Sequence, residues 1–474
     1  MELENLSSGI GDFMEFEKKK YNYPDIHNLT VAIIGLGYVG LPLAVELAKK
    51  QKCVLTGVPL SRNVIGFDID EKRIQELKNG FDRTNEISQD LTDISFDLTS
   101  DFEKLVEADI FIITVPTPID KNKKPDLNSL KNATSTVAKV LKIKKGREFN
   151  LNKTSIPIVI YESTVYPGTT EEICIPLLEK ISGLSCDGQK SSRSLSCGYS
   201  PERINPGDKK HTIRDIVKVT SGSNKDVALW INNFYGSIVD AGTHQAESIK
   251  VAEAAKIIEN TQRDINIALI NELAIISKLL EIDTLDVIRA ASTKWNFIPF
   301  KPGLVGGHCI GVDPYYLTYK SQILGYSPEV VLAGRKINDG MPRWVVEQLI
   351  LEMCRKNISI KSANILILGF TFKENCPDIR NTKVLEIIDI LKKYHFEVDI
   401  VDPWVDAEEV KKRYGIKISY KVKKSTKYTV VISSVAHKQF LAMSINDWKA
   451  LVKEDGILYD LKGLIPRKLK PLRM

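Results

Sequence analysis

One cysteine follows a glycine pair in the segment Gly306-Gly307-His308-Cys309-Ile310-Gly311-Val312-Asp313, with a carboxylate four residues beyond the thiol. A thiol on backbone that a ligand can approach closely suits covalent attack on a carbonyl carbon. Read alone, the segment fits a structural turn with an inert cysteine equally well. His308 stands next to the thiol, but neighbouring residues in a chain usually point apart, so a cation such as Lys256 is the better source of thiolate character.

A second constellation supplies an oxidant. Gly35-Leu36-Gly37-Tyr38-Val39-Gly40 fits G-x-G-x-x-G, directly after an apolar strand pattern and directly before a helical one. In that context the first glycine permits a tight turn, the second admits a pyrophosphate, and the third lets helix pack on strand. The helix N-terminus adds an anion site. Gly35, Gly37, Tyr38, Val39 and Gly40 are therefore candidate dinucleotide ligands. The acidic partner expected at the end of the next strand is Asp68, whose carboxylate would accept ribose hydroxyls and repel a 2′-phosphate. This favours NAD, although Arg73 leaves NADP open. Asp68 lies later than the usual offset, and Gln51–Arg62 reads as an insertion that accounts for the delay. A third pair, Lys256 and Asn260, is four apart on one helix face and suits an oxyanion.

These residues need elements to hold them. Val31–Gly35, Val64–Asp68, Ile110–Val115 and Ile156–Tyr161 read as buried strands alternating with helices, which predicts a doubly wound parallel sheet. Glu247 to about Leu280 reads as one long helix, with Val251, Ile257, Ile258, Ile265, Leu269, Leu273, Ile276 and Leu280 at helical spacing. It would join two lobes and form a homodimer surface. Trp295–Gly311 reads as ordered loop. A second α/β unit follows, with strands at Asn364–Phe370, Glu397–Asp402 and Thr429–Ser433 and a helix at Thr382–Tyr394. The expected fold is thus α/β, two Rossmann-like doubly wound domains joined by a long central helix. The divisions fall at 1–28 (extension), 29–240 (NAD domain), 241–345 (central helical part with the cysteine loop) and 346–474 (second Rossmann-like domain).

Composition narrows the class. At 474 residues the chain exceeds one core, and a net charge of +6 is spread rather than concentrated, which argues against nucleic-acid binding. No apolar run is long enough to span a membrane, and the N-terminus lacks a signal-peptide core, which predicts a cytoplasmic protein. The seven cysteines show no zinc spacing.

Taken together, Gly35–Gly40, Val115-Pro116-Thr117-Pro118, Glu162-Ser163-Thr164-Val165, Ser200-Pro201-Glu202-Arg203, Lys256…Asn260 and Gly306–Asp313 resemble the UDP-glucose/GDP-mannose dehydrogenase family. Gly369-Phe370-Thr371-Phe372-Lys373 and Asp378-Ile379-Arg380 extend the likeness, which covers about residues 30 to 465. Tyr199–Gly207 and Glu259–Asp264 are similar to the branch acting on UDP-N-acetylglucosamine or UDP-N-acetylgalactosamine, with UDP-N-acetylmannosamine or UDP-glucose as alternatives. The resemblance implies a four-electron oxidation of the sugar C6 alcohol to a carboxylate with two NAD⁺, for capsule or O-antigen synthesis. In it Cys309 would hold the aldehyde as a thiohemiacetal and then a thioester. Lys256 and Asn260 would hold the C6 oxygen, Thr164 would position water or nicotinamide, and either Glu202 or Asp313 would be the base. Thr117 would line the cofactor site. Lys373 and Arg380 would grip the diphosphate, and Arg263, Lys301 and Gly306 would meet the sugar nucleotide, with Trp295–Lys301 packed on it or in the core. Gln51–Arg62, Arg147–Ser155 and Ser185–Ser196 exceed the family pattern and read as surface loops, the first close to the adenosine pocket. Glu162 stands where many relatives carry Lys.

Overall fold

The computed structural model describes residues 23–84, 86–87, 96–148, 155–186, 193–204, 211–307, 309–423 and 426–474. His308, most of the N-terminal extension and much of the second and third long stretches lie outside the described residues. The chain forms two compact units. The first runs to Ile258 and includes Tyr315–Lys320; the second comprises Glu259–Pro314 and Ser321–Met474.

The first unit is built on an eight-stranded sheet in the order β3-β2-β1-β4-β5-β6-β7-β8. Its strands are β1 (Asn28–Ile34), β2 (Ser61–Phe67), β3 (Asp97–Thr99), β4 (Ile110–Ile113), β5 (Ile158–Tyr161), β6 (Ser196–Tyr199), β7 (Lys218–Gly222) and β8 (Thr243–Gln245). The central strands are apolar throughout because both faces are covered, so β4 and β5 read IFII and IVIY with every residue buried. All pairings are parallel except β6 with β7, where Gly198 opposes Gly222. The parallel expectation is corrected at that one pair. Strand order reverses beside β1, and the crevice at the carboxyl ends there is where an open α/β sheet takes its ligand.

The insertion Gln51–Arg62 is ordered. Lys52 bridges Pro59, Cys53 and Leu60 are buried, and the Val54 amide donates to Ser237 O at 2.9 Å. It enters β2 at the amino end, whereas Asp68 follows the carboxyl end. Five strand residues, 63 to 67, separate its last residue from Asp68, a span of roughly 20 Å. The expected proximity to the adenosine pocket is therefore corrected.

The second unit holds a parallel sheet in the order β10-β9-β11-β12-β13, with β9 (Asn364–Leu368), β10 (Glu397–Val401), β11 (Tyr428–Ser433), β12 (Val452–Asp460) and β13 (Leu472–Arg473). Its first turn shares three features with that of the first unit. Gly35 and Gly369 have φ of 98° and 95°, a region open to glycine. Their amides donate to Phe67 O and Val401 O, both at 2.8 Å. The next amide donates in each case to an aspartate 33 residues beyond the glycine, Leu36 N to Asp68 and Phe370 N to Asp402. A helix of 31 residues, Ile249–Leu279, runs from one unit into the other.

Candidate active site

The cofactor residues sit where the glycines allow. A side chain at Gly40 would meet Gly35 O at 1.9 Å, so helix and turn are in contact there; a side chain at Gly37 would meet nothing within 4 Å, leaving open space over the turn. Behind it, the Gly40–Ala48 helix begins without a side-chain cap. Leu41 N and Leu43 N donate to Gly37 O and Val39 O at 3.2 and 3.3 Å and Pro42 carries no N–H, so a pyrophosphate would meet the positive end of the helix dipole over the turn. Tyr38 and Val39 lie in the turn itself and are partly exposed. Asp68 Oδ2 accepts Leu36 N and Oδ1 accepts Asp70 N, both at 2.9 Å. Each oxygen keeps a lone pair for a ribose hydroxyl, so the residues fit NAD. Arg73 is corrected as a cofactor ligand: it is buried, donates to Leu36 O and pairs with Asp82 at 2.8 Å, which spends its charge beneath the turn.

The loops after β4, β5 and β6 carry the next candidates. Thr117 Oγ1 donates to Thr164 O at 2.5 Å, and Ser163 Oγ donates to Val115 O at 2.6 Å, so the first two loops are tied together. The buried Tyr316 hydroxyl donates to Thr117 O from outside the sheet. Glu202 is buried after β6. Its Oε1 accepts the amides of Arg203 and Ile204 at 2.6 and 2.7 Å, and its Oε2 lies 3.3 Å from Lys218 Nζ. Lys218 also reaches Glu162 at 2.8 Å, and Glu162 accepts the Tyr235 hydroxyl. This explains the unusual Glu162: it is the partner of a buried lysine. Burial pushes Glu202 up, but Lys218 and the two amides outweigh it and hold the carboxyl below its usual range. Burial dominates at Glu162 and raises it.

On the long helix Lys256 is buried, and Asn260 one turn later is half-buried. Asn260 Nδ2 donates to Asp313 Oδ2 at 2.6 Å. Arg263 is exposed. Sequence reasoning overlooked Glu253, fully buried, which accepts the amides of Gly168 and Thr170 at 2.5 and 2.9 Å and so clamps the loop that carries Thr164. Burial pushes its carboxyl up to about 7.

The cysteine loop belongs to the second unit. Cys309 O accepts the amides of Val312 and Asp313 at 3.0 and 2.8 Å, which opens the Asp313–Ile323 helix. A side chain at Gly306 would meet Asn381 O at 2.9 Å, and one at Gly307 (φ 80°) would meet the Phe372 ring at 2.9 Å. The glycine pair is thus needed by neighbouring protein, which corrects the reading of Gly306 as backbone bared for a ligand. Upstream, Asn271 grips Gly303 through both main-chain groups, at 3.0 Å to its O and 2.8 Å from its N, and also reaches Asn338. Asn338 and Arg335 in turn bind Asp264. The Asn271 anchor had no sequence signal beyond a polar residue inside an apolar helix pattern.

Of the expected diphosphate ligands, Lys373 follows Phe372, and Arg380 is held by a two-pronged pair with Asp378 (Nε to Oδ1 2.9 Å). Lys301 is exposed and lines a shallow cavity with Lys462 and Arg473. Trp295 is 91% exposed and Ile298 59%, so the aromatic stretch does not pack into its own core. The equivalent of Asp68 in this unit, Asp402, is spent on Phe370 N, Thr371 N, Trp404 N and His437 Nε2, and offers nothing to a dinucleotide ribose.

Residues 29–239, 250–340 and 366–467 match the NAD-binding, central and UDP-binding domain models of the UDP-glucose/GDP-mannose dehydrogenase family. The chain is 53% identical to UDP-N-acetyl-D-glucosamine 6-dehydrogenase of Salmonella typhi, covering 95% of this chain and 99% of that one. It is 51% identical to the enzyme of the same name from Pseudomonas aeruginosa, over 94% and 100%. A solved UDP-D-ManNAc dehydrogenase from Pyrococcus horikoshii aligns with a TM-score of 0.78 at 27% identity, covering 92% of this chain and 96% of that one. The chain belongs to the UDP-glucose/GDP-mannose dehydrogenase family, with NAD as its cofactor.

Proposed function

We propose that this protein is an NAD-dependent UDP-N-acetylglucosamine 6-dehydrogenase that makes a UDP-N-acetylhexosaminuronic acid for capsule or O-antigen polysaccharide. The observation that carries the choice of sugar is identity of about half of all residues, end to end, with two enzymes of that name. UDP-N-acetylgalactosamine differs at one hydroxyl and stands as the nearest competing substrate. NAD⁺, when bound, would supply the hydride acceptor for each of the two oxidations, a second NAD⁺ replacing the NADH formed in the first.

The residues of this chain do the rest. Lys256 and Asn260 hold the C6 oxygen as the alcohol becomes an aldehyde. Cys309 sulfur adds to the aldehyde carbon, and the thiohemiacetal gives up the second hydride to become a thioester. Water then cleaves the C–S bond and leaves the carboxylate and the free thiol. Thr164 positions water or the nicotinamide ring, and Asp313, held by Asn260, acts in proton transfer. Lys373 and Arg380 bind the diphosphate, with Arg380 aimed by Asp378. Arg263 and Lys301 serve the sugar-nucleotide side.

The protein works in the cytoplasm; among its described residues no helix is long and apolar enough to cross a membrane. It works as a homodimer through the long helix, which leaves Val251, Ile258, Leu269 and Ile276 about half exposed in one stripe, beside the exposed Leu279 and Leu280. The test is kcat/KM for the UDP derivatives of N-acetylglucosamine, N-acetylgalactosamine, N-acetylmannosamine and glucose. Preference for any but the first overturns the choice of sugar.

A further inference from the structure

The second unit holds a buried histidine that the proposed reaction does not use. His437 and Asp402 are both fully buried, with His437 Nε2 3.0 Å from Asp402 Oδ2. Asp402 has the place in this unit that Asp68 has in the first, one residue past a strand and 33 past the glycine of the turn. In the first unit that carboxylate keeps a lone pair on each oxygen for a ribose. In the second an imidazole of the chain itself takes the position.

The hydrogen bonds fix the state of the ring. Asn375 N donates to Nδ1 at 3.0 Å, so the ring proton sits on Nε2, which donates to Asp402. Thr371 Oγ1 lies 3.2 Å from the same Nε2, and its hydroxyl donates to Lys373 O at 2.9 Å. Lys438 N, beside the histidine, donates to Asn375 Oδ1 at 2.9 Å. Trp404 and Phe440 flank the ring, with centroids at 6.2 and 5.7 Å. Asn375 has φ 55°, a left-handed conformation that asparagine tolerates. Lys373 therefore stands midway between two residues, Thr371 and Asn375, that one imidazole ties down. Residues 371–375 belong to no helix or strand, so these bonds do for the loop what a ladder does elsewhere.

We propose that His437 is the positioning residue for Lys373: a neutral imidazole, oriented by Asp402, that pins residues 371–375 and so aims the Lys373 ammonium at the diphosphate of the substrate. A lysine is a point charge on a flexible stem. Fixing its backbone beforehand lowers the ordering cost of binding, and the difference appears as affinity. The inference rests on the reading of Lys373 as a diphosphate ligand.

The experiment is a double-variant cycle read by the Kd of UDP in calorimetry, with KM for UDP-N-acetylglucosamine, kcat and the Kd of NAD measured alongside. Leucine and asparagine match in shape, but only asparagine has an oxygen placed to accept the Asn375 amide. His437→Leu should raise the UDP Kd and the sugar-nucleotide KM roughly tenfold, with kcat and NAD affinity within about twofold of wild type. His437→Asn should recover most of that loss. In a Lys373→Met background His437→Leu should cost less than about twofold, because the ammonium it serves is gone. A full tenfold loss in that background, or His437→Asn as weak as His437→Leu, overturns the positioning role. Thr371→Val cuts the tie to Lys373 O and should weaken UDP in the same direction, so it stands in if His437→Leu does not fold. Unchanged UDP affinity in Thr371→Val counts against the inference. Lys373→Met with wild-type UDP affinity would instead overturn the reading of Lys373 itself.

Discussion

Asn271 offers a direct way to loosen the cysteine loop without touching a reacting atom. Its side chain makes three hydrogen bonds at 2.8 to 3.0 Å, two to Gly303 and one to Asn338, at a fully buried position. Asn271→Ala removes all three and leaves the Gly303 N–H and C=O buried without that partner. At about 1 kcal/mol for each bond, plus the cost of orphaned groups, the loss is about 3–5 kcal/mol. For a unit of this size that lowers its melting temperature by roughly 10 °C. Gly303 lies three residues before Gly306 and six before Cys309, so the thiol loses its anchor as well. A displacement of about 1 Å at a reacting group costs roughly 100-fold in rate. Calorimetry, kcat and the rate of thiol alkylation by iodoacetamide would be measured together with NAD affinity. NAD affinity should hold, because the turn that binds it is built wholly within the first unit. If Asn271→Ala melts within about 2 °C of wild type and keeps its kcat, the loop is not held as described.

Three further outcomes are expected. Asp68→Asn should weaken NAD at least about tenfold and narrow the preference over NADP, read by titration with both cofactors, because the ribose acceptor and the repelling charge go together. Glu253 has its carboxyl raised to about 7 in the folded state, above its unfolded value, so the native protein binds the extra proton between about 4.5 and 7. Stability should accordingly fall by roughly 3 kcal/mol as pH rises through that window. Glu253→Gln should flatten that slope, and melting curves at pH 5.5 and 8.5 would show it; an equal slope in the variant would be the adverse result. Leu269→Asp with Ile276→Asp should give a monomer by sedimentation, since both exposed side chains sit on the stripe assigned to self-association.

What could be read from the chain and what could not divide along physical lines. The glycine turn and the place of Asp68 at the end of its strand were legible because they lie in short, contiguous strings whose spacing matches one turn or one strand. Strand positions were legible wherever both faces are buried, as in IFII and IVIY. The Glu329–Arg355 helix went unread because Gly340 and Pro342 interrupt its pattern from within. The antiparallel β6–β7 pair depends on how the chain returns between them, which no local period records. Lys218 with Glu162 is a contact across 56 residues, and Asn271 with Gly303 one across 32, so neither had a local trace. Arg73 was misread for the same reason: a cation near a ribose site and a cation buried beneath it look alike until Asp82 is seen. The likeness of the two units was expected at the level of the fold, and the shared 33-residue offset with its hydrogen bonds aligns their first turns.

The central claim is that Cys309 holds the sugar between two oxidations. Its most direct test is the number of NADH formed per UDP-N-acetylglucosamine consumed, in the wild-type enzyme and in Cys309→Ser. Two NADH and the uronic acid are expected from the wild type, with Cys309→Ser still binding both ligands but making no acid. One NADH per sugar in the wild type, or full conversion to the acid by Cys309→Ser, would contradict it.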